Sequence, residues 1–120
     1  MSYPTDKLWL IFKDLLDINN ESIPVFKGEK DSDDDVLRYI VIQDEQYDEA
    51  IHFGDGKPVL RNSDFNLYLN TINADDLIDM KRAVITKLDE NNIYYTIANK
   101  VYDSNSKFYT LTFEGSLQYV

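Results

Sequence analysis

Asp31-x-Asp33-x-Asp35 is the stretch whose residue types and spacing best suit a metal ion. Alternating carboxylates of this kind open a calcium loop, which also needs Gly at its sixth position and a bidentate Glu at its twelfth. Those positions hold Val36 and Ile42, where the chain has entered an apolar run. The expectation is therefore a solvated loop, or a charged surface facing a partner, and no metal site. His52 is the sole histidine, and Ser63 and Asp64 could complete a hydrolytic triad on paper. No strand-turn-helix glycine pattern surrounds Ser63 to expose a nucleophile. Gly54 and Gly56 run into Lys57-Pro58 rather than a helix, so no phosphate cradle forms there. Glycosidase-like carboxylate pairs have nothing to mark a cleft. The reading is a protein that is not an enzyme, with no catalytic residue, cofactor or metal.

If not chemistry, then contact. The 120 residues are enough for one domain and leave no room for a second core. Hydrophobic content of 43% with 13% aromatics belongs to a folded chain. The 22 acidic against 12 basic residues give a net charge of −10. Phosphate contacts need Lys or Arg, so nucleic acid backbones and anionic membrane surfaces are poor partners. No cysteine is present, which removes disulfides and thiolate chemistry and suits a reducing compartment. The first residues lack a basic, then apolar, export signal, and no apolar run reaches membrane-span length. Synthesis in the cytoplasm without a cleaved signal is expected.

The elements follow from periodicity. Leu8, Ile11, Phe12, Leu15 and Leu16 fall on one helical stripe, with Thr5 or Asp6 as cap and Asn19-Asn20 as the stop. Trp9 widens that apolar surface as a core or rim residue. Residues 23–27 read as a strand with Pro24 near its start. An acidic loop follows, then a strand over 36–43 whose Tyr39-Ile40-Val41-Ile42 run suggests burial on both faces. Residues 47–53 form a weaker strand, and 54–58 the strongest turn signal. Phe65, Leu67 and Leu69 alternate with Asn66, Tyr68 and Asn70, the mark of a half-buried strand over 64–71.

A second helix is expected over 73–90. Leu77, Val84 and Leu88 form its stripe, Ile78 and Ile85 flank it, and acids crowd its amino end. This helix should lie over the strand at 36–43, Val84 and Leu88 meeting Ile40 and Ile42. Residues 93–101 and 107–114 form a closing hairpin around Asp103-Ser104-Asn105-Ser106. The tail from 115 to 120 either stays short and mobile or reaches a neighbour. Together these give an α+β domain, a mostly antiparallel sheet with two helices packed on one face.

Two groups of residues are candidates for contact. The acids Glu29, Asp31, Asp33, Asp34 and Asp35, with Asp44, Glu45, Asp48 and Glu49, form a channel-lining or partner-facing surface, since bunched carboxylates cannot be buried unpaired. The tyrosines Tyr68, Tyr94, Tyr95, Tyr102 and Tyr109 are candidate subunit-interface aromatics, because Tyr joins an apolar body to a polar tip. The plain alternative is ordinary β-propensity on a half-exposed sheet.

In this order of elements the chain resembles the tail terminator, or tail completion, proteins of long-tailed bacteriophages. The resemblance rests on Ile23-Pro24-Val25-Phe26 after a first helix and on the central strand Arg38-Tyr39-Ile40-Val41-Ile42. It continues through Asp64-Phe65-Asn66-Leu67-Tyr68-Leu69, a helix like that from Leu77 to Leu88, and the closing hairpin. It spans nearly the whole chain by pattern and order, with no invariant motif. The segment 47–61 is longer and more acidic than the family pattern.

The resemblance implies a virion protein that forms a hexameric ring, caps the tail tube at full length and joins it to the head. Its implied partners are itself, the major tail tube protein, the head-completion or neck proteins and the tape measure protein. Genome DNA only passes through the channel, and no membrane is involved. The implied location is the head-proximal end of the tail, and the host cytoplasm during virus assembly. The family carries no catalytic residues. A competing function is an acidic phage protein that mimics DNA to inhibit a host nuclease or restriction system. The charge favours that reading, whereas the position of many acids in connections between apolar strands opposes it.

Overall fold

A computed structural model describes residues 4–30, 36–44, 49–51 and 60–119 of the chain. The order is α1 (Pro4–Phe12), β1 (Val25–Lys27), β2 (Arg38–Asp44), β3 (Glu49–Ile51), β4 (Leu60–Thr71), α2 (Ala74–Glu90), β5 (Tyr94–Tyr102) and β6 (Tyr109–Tyr119). Five strands stand side by side as β1-β2-β4-β6-β5, and the short β3 pairs with β4 off this path. Only β1 and β2 run parallel; every other pair is antiparallel. The architecture is the expected α+β fold, with a mostly antiparallel sheet.

Both helices cover one face, and period-two alternation decides which residues they meet. Ile40 and Ile42, Phe65, Leu67 and Leu69, and Leu111 and Phe113 turn to that face. Leu8, Phe12 and Leu15 close over them from the first helical segment, and Leu77, Met80, Val84 and Leu88 from α2. Burying one such side chain contributes about 1.5–3 kcal/mol, so this single layer is the main source of stability. Asn73 caps α2, its Oδ1 accepting from the Asp75 N–H at 2.9 Å. Asp75 and Asp76 in the first turn and Lys87 in the last suit the helix dipole.

Four expectations change. First, α1 ends at Phe12 and not at Asn19-Asn20. Leu15 stays in the core, but its carbonyl receives the Ile23 N–H at 3.0 Å, so the chain has already turned back toward β1. Asn20 does adopt the left-handed turn its type tolerates, at φ 61°. Second, α2 lies over β4, β5 and β6, and α1 lies over β1, β2 and β4. The strand beneath α2 is β4 because β4, not β2, is the middle of the sheet. Third, Ile78 turns outward, 52% exposed, while Met80 takes a place in the core. Fourth, residues 115–119 are no tail: β6 continues through them, Gly115 opposite Phe65 and Tyr119 opposite Arg61.

Two smaller differences are that Leu16, expected on the buried stripe, is 48% exposed, and that β1 and β2 each start two residues later than expected and β4 four earlier. Trp9 packs at the rim of the core, with the ammonium groups of Lys13 and Lys27 5.6 and 5.3 Å from its ring centre. Val41, on the helix-free face, is only 8% exposed, so β2 is covered on both sides at that point. His52, the turn at 54–58 and the triplet Asp31, Asp33 and Asp35 lie outside the described residues.

Candidate functional site: the edges and the open face of the sheet

An open sheet has two edges and, here, one face without helices. Each was built differently by the sequence.

The β1 edge is short and occupied. β1 has three residues, and Pro24 before it lacks an N–H. Pro24 O accepts from Ile40 N at 2.9 Å on the β2 side, while the Ile23 N–H turns the other way to Leu15 O. Leu16 bridges Ser22 beside it. The loop that makes this guard is tied by Asp17. One of its oxygens accepts from the N–H groups of Asn19 and Glu21, both at 2.8 Å. The other meets the Arg38 guanidinium at 2.8 Å, and the Asp17 side chain is 5% exposed. The Glu21 N–H first, then the Arg38 contacts and the Asn19 N–H, hold the carboxyl below the usual carboxylate range against the opposing effect of burial.

The β5 edge is long and bare. Eight of its nine residues pair with β6, its one neighbouring strand among the described residues, and all but Tyr95 are exposed. Tyr94 is 73%, Val101 54%, Tyr102 47% and Ile97 42% exposed. A β-bulge between Ile97 and Asn99 leaves Ala98 without a register partner on β6. The turn into β6 is ordered by Asp103, whose Oδ1 accepts from the Asn105 N–H at 2.9 Å. That bond, followed by Ser106, holds the Asp103 carboxyl below its usual range.

On the helix-free face, Tyr39 stands between Phe26 and Phe108, ring centres 6.0 and 5.7 Å away. Partial burial raises the Tyr39 phenol above its ordinary value. Asn70, 9% exposed, accepts from the Thr110 hydroxyl at 2.7 Å and donates to Tyr68 O at 3.2 Å. Gln43 donates to Gly28 O at 2.8 Å, drawing the start of the acidic loop over a recess of about 300 Å³ between Tyr39 and Tyr68. On the other side, a cleft of about 390 Å³ lies between residues 14–18 and α2, where Leu15 and Ala83 meet Arg82 and Lys87. Among the described residues no group of acids and histidines could hold a metal ion. No helix there is long and apolar enough to cross a membrane.

The candidate residues therefore separate. Tyr94 and Tyr102 lie on the open edge. Tyr95 and Tyr109 turn to the helix side and pack against the core, Tyr109 with its ring 4.7 Å from that of Tyr102. Tyr68 is half-buried on the helix-free face. Glu29 is exposed beside the recess. Asp44 and Glu49 end and begin strands, and Asp31, Asp33, Asp34, Asp35, Glu45 and Asp48 lie outside the described residues. Sequence reasoning missed Asp17 and Arg38. Asp17 two residues before Asn19 and four before Glu21 was the available signal, since Asp side chains commonly cap their own turns.

No protein-family model matches the chain, and no curated protein matches it in sequence.

Proposed function

We propose that this chain is a structural protein of a long-tailed bacteriophage. It forms a ring at the head-proximal end of the tail, ends growth of the tube and joins it to the head. The observation that carries this reading is the succession α1, β1, β2, β4, α2 and the β5–β6 hairpin, the order on which the resemblance to tail terminators rests. Its partners in this reading are copies of itself, the tail tube protein, the tape measure protein and the neck proteins. In this reading the acidic segment at 29–35 or that at 44–49 lines the channel or a mating face, where negative charge lets DNA pass without sticking.

The net charge of −10 favours a second reading, DNA mimicry against a host nuclease. Against it, α2 carries Lys81, Arg82 and Lys87 between its acidic ends, so the helix offers no continuous row of acids. Electron microscopy of purified tails tests the choice. A ring of this protein at the head-proximal end is expected. Its absence there, with binding to a nuclease instead, would overturn the tail reading.

A further inference from the structure

We propose that the free edge of β5 is a strand-addition site for a second copy of this chain, the two β5 strands pairing antiparallel about a two-fold axis beside Ala98. This goes beyond the tail reading and does not depend on it.

Charge selects the occupant. A chain of net charge −10 repels its own copies, and its 22 acids recur along its length. The longest run without one is residues 91–102, which contains all of β5 and carries Lys100 as its only charge. Two copies can meet here without opposing carboxylates. Apolar surface points to the same place. Tyr94, Ile97, Val101 and Tyr102 are four of the ten exposed large hydrophobic residues among those described. Half of the backbone N–H and C=O groups of such an edge face away from the sheet and want a ladder.

Topology selects the symmetry. Head-to-tail pairing needs two complementary edges, and the other one is three residues long, next to Pro24 and the Leu16–Ser22 bridge. Among the described residues β5 is the one long open edge, β3 being another of three residues, so the isologous arrangement pairs the most backbone. The bulge selects the register. Tyr94 and Thr96 before it, and Asn99 and Val101 after it, share the helix-free side through their partners Ser116, Glu114, Thr112 and Thr110. Residues opposite each other in a ladder must share a face. Antiparallel pairing over the full length of both strands then sets Thr96 against the second copy's Asn99 or Val101, and either choice puts the axis beside Ala98. A nine-residue edge spans ~30 Å, at the small end for an interface, so the association is weak and concentration-dependent.

A charge swap tests this. Sedimentation of the full chain from micromolar to millimolar concentration should show a monomer–dimer equilibrium. Ala98→Asp and Ala98→Lys each place like charges beside the axis and should weaken it about tenfold or more, with an unchanged melting temperature at concentrations where the parent is monomeric. Mixing the two variants should restore the dimer. A parent monomeric at every concentration, an assembly indifferent to both variants, or no recovery on mixing would overturn the pairing. A monomer that still caps tails would overturn the pairing alone and leave the tail reading intact.

Discussion

The two edges of this sheet solve the same problem in opposite ways. Any outermost strand exposes unpaired backbone groups that invite another chain. At β1 the sequence closes the invitation with a short strand, a proline, and a loop that engages the Ile23 N–H through Leu15 O. At β5 it leaves nine residues in water with no proline and no acid. In a chain otherwise so acidic, the bare edge is where approach is least opposed. The difference teaches which end of the molecule is shaped for its own fold and which is available to a partner.

The largest expected effect comes from removing what holds the guarded edge. Phe12, the last residue of α1, is fully buried. Phe12→Ala should cost about 3–5 kcal/mol in denaturant unfolding. Amide exchange should rise at residues 15–27 before it rises in β5 and β6. Equal loosening of both edges would mean that α1 is no guard.

A smaller effect is expected at the other end. Gly115 sits in β6 between Phe65 and Tyr95. A Cβ there would strike the Phe65 ring and come within 2.8 Å of Tyr94 O. Gly115→Ala should cost about 1–3 kcal/mol by overpacking. Its exchange signature should appear at Tyr94 and Tyr95, not at β1, and a neutral result would show that the ring yields freely.

How legible these two ends were follows from range. The alternation from Phe65 to Leu69 and the stripe Leu77, Val84, Leu88 are local patterns, and they gave the central strand and α2. The order of strands is not local. Nothing near Tyr94 says that β6 will slip between β4 and β5 and leave β5 outside. Likewise the apolar pattern through Leu15 and Leu16 continues past the true end of α1, because Leu15 is buried from the chain just after the helix while Leu16 is 48% exposed. The acid-free run at 91–102 was readable as composition. Only the topology made it an edge.

The Asp17 clasp sharpens the contrast through pH. Its carboxyl titrates below the usual range, so the unfolded chain takes up its proton first as pH falls. The stabilisation is complete above the unfolded value of about 3.8 and disappears as pH drops through the lower, folded value. Asp17→Ala should therefore melt below the parent at neutral pH, and the two should converge in acid. Converging curves at neutral pH would deny the clasp any part in stability. Asp103 gives the same sign at the β5–β6 turn, so adding Asp103→Ala should widen the gap to the parent at neutral pH, and that gap too should close in acid.

The substitutions with the smallest effect on stability should separate the two edges most clearly. Val101 is 54% exposed on β5, and Lys27 is exposed on β1. Surface changes of this kind stay within about 0.5 kcal/mol, so Val101→Glu should melt like the parent, and Lys27→Glu slightly below it because the Lys27 ammonium leaves the Trp9 ring, a contact worth about 0.5–1 kcal/mol. They should differ in solution. Val101→Glu breaks the acid-free run and sets a carboxylate in the path of any strand that pairs with β5. It should shift the protein toward monomer and raise amide exchange along residues 94–102 at high concentration. Lys27→Glu adds more negative charge to the whole chain than Val101→Glu, by two units rather than one. If general repulsion governed association, it would be the more disruptive change. If the bare edge governs, it leaves association as it was.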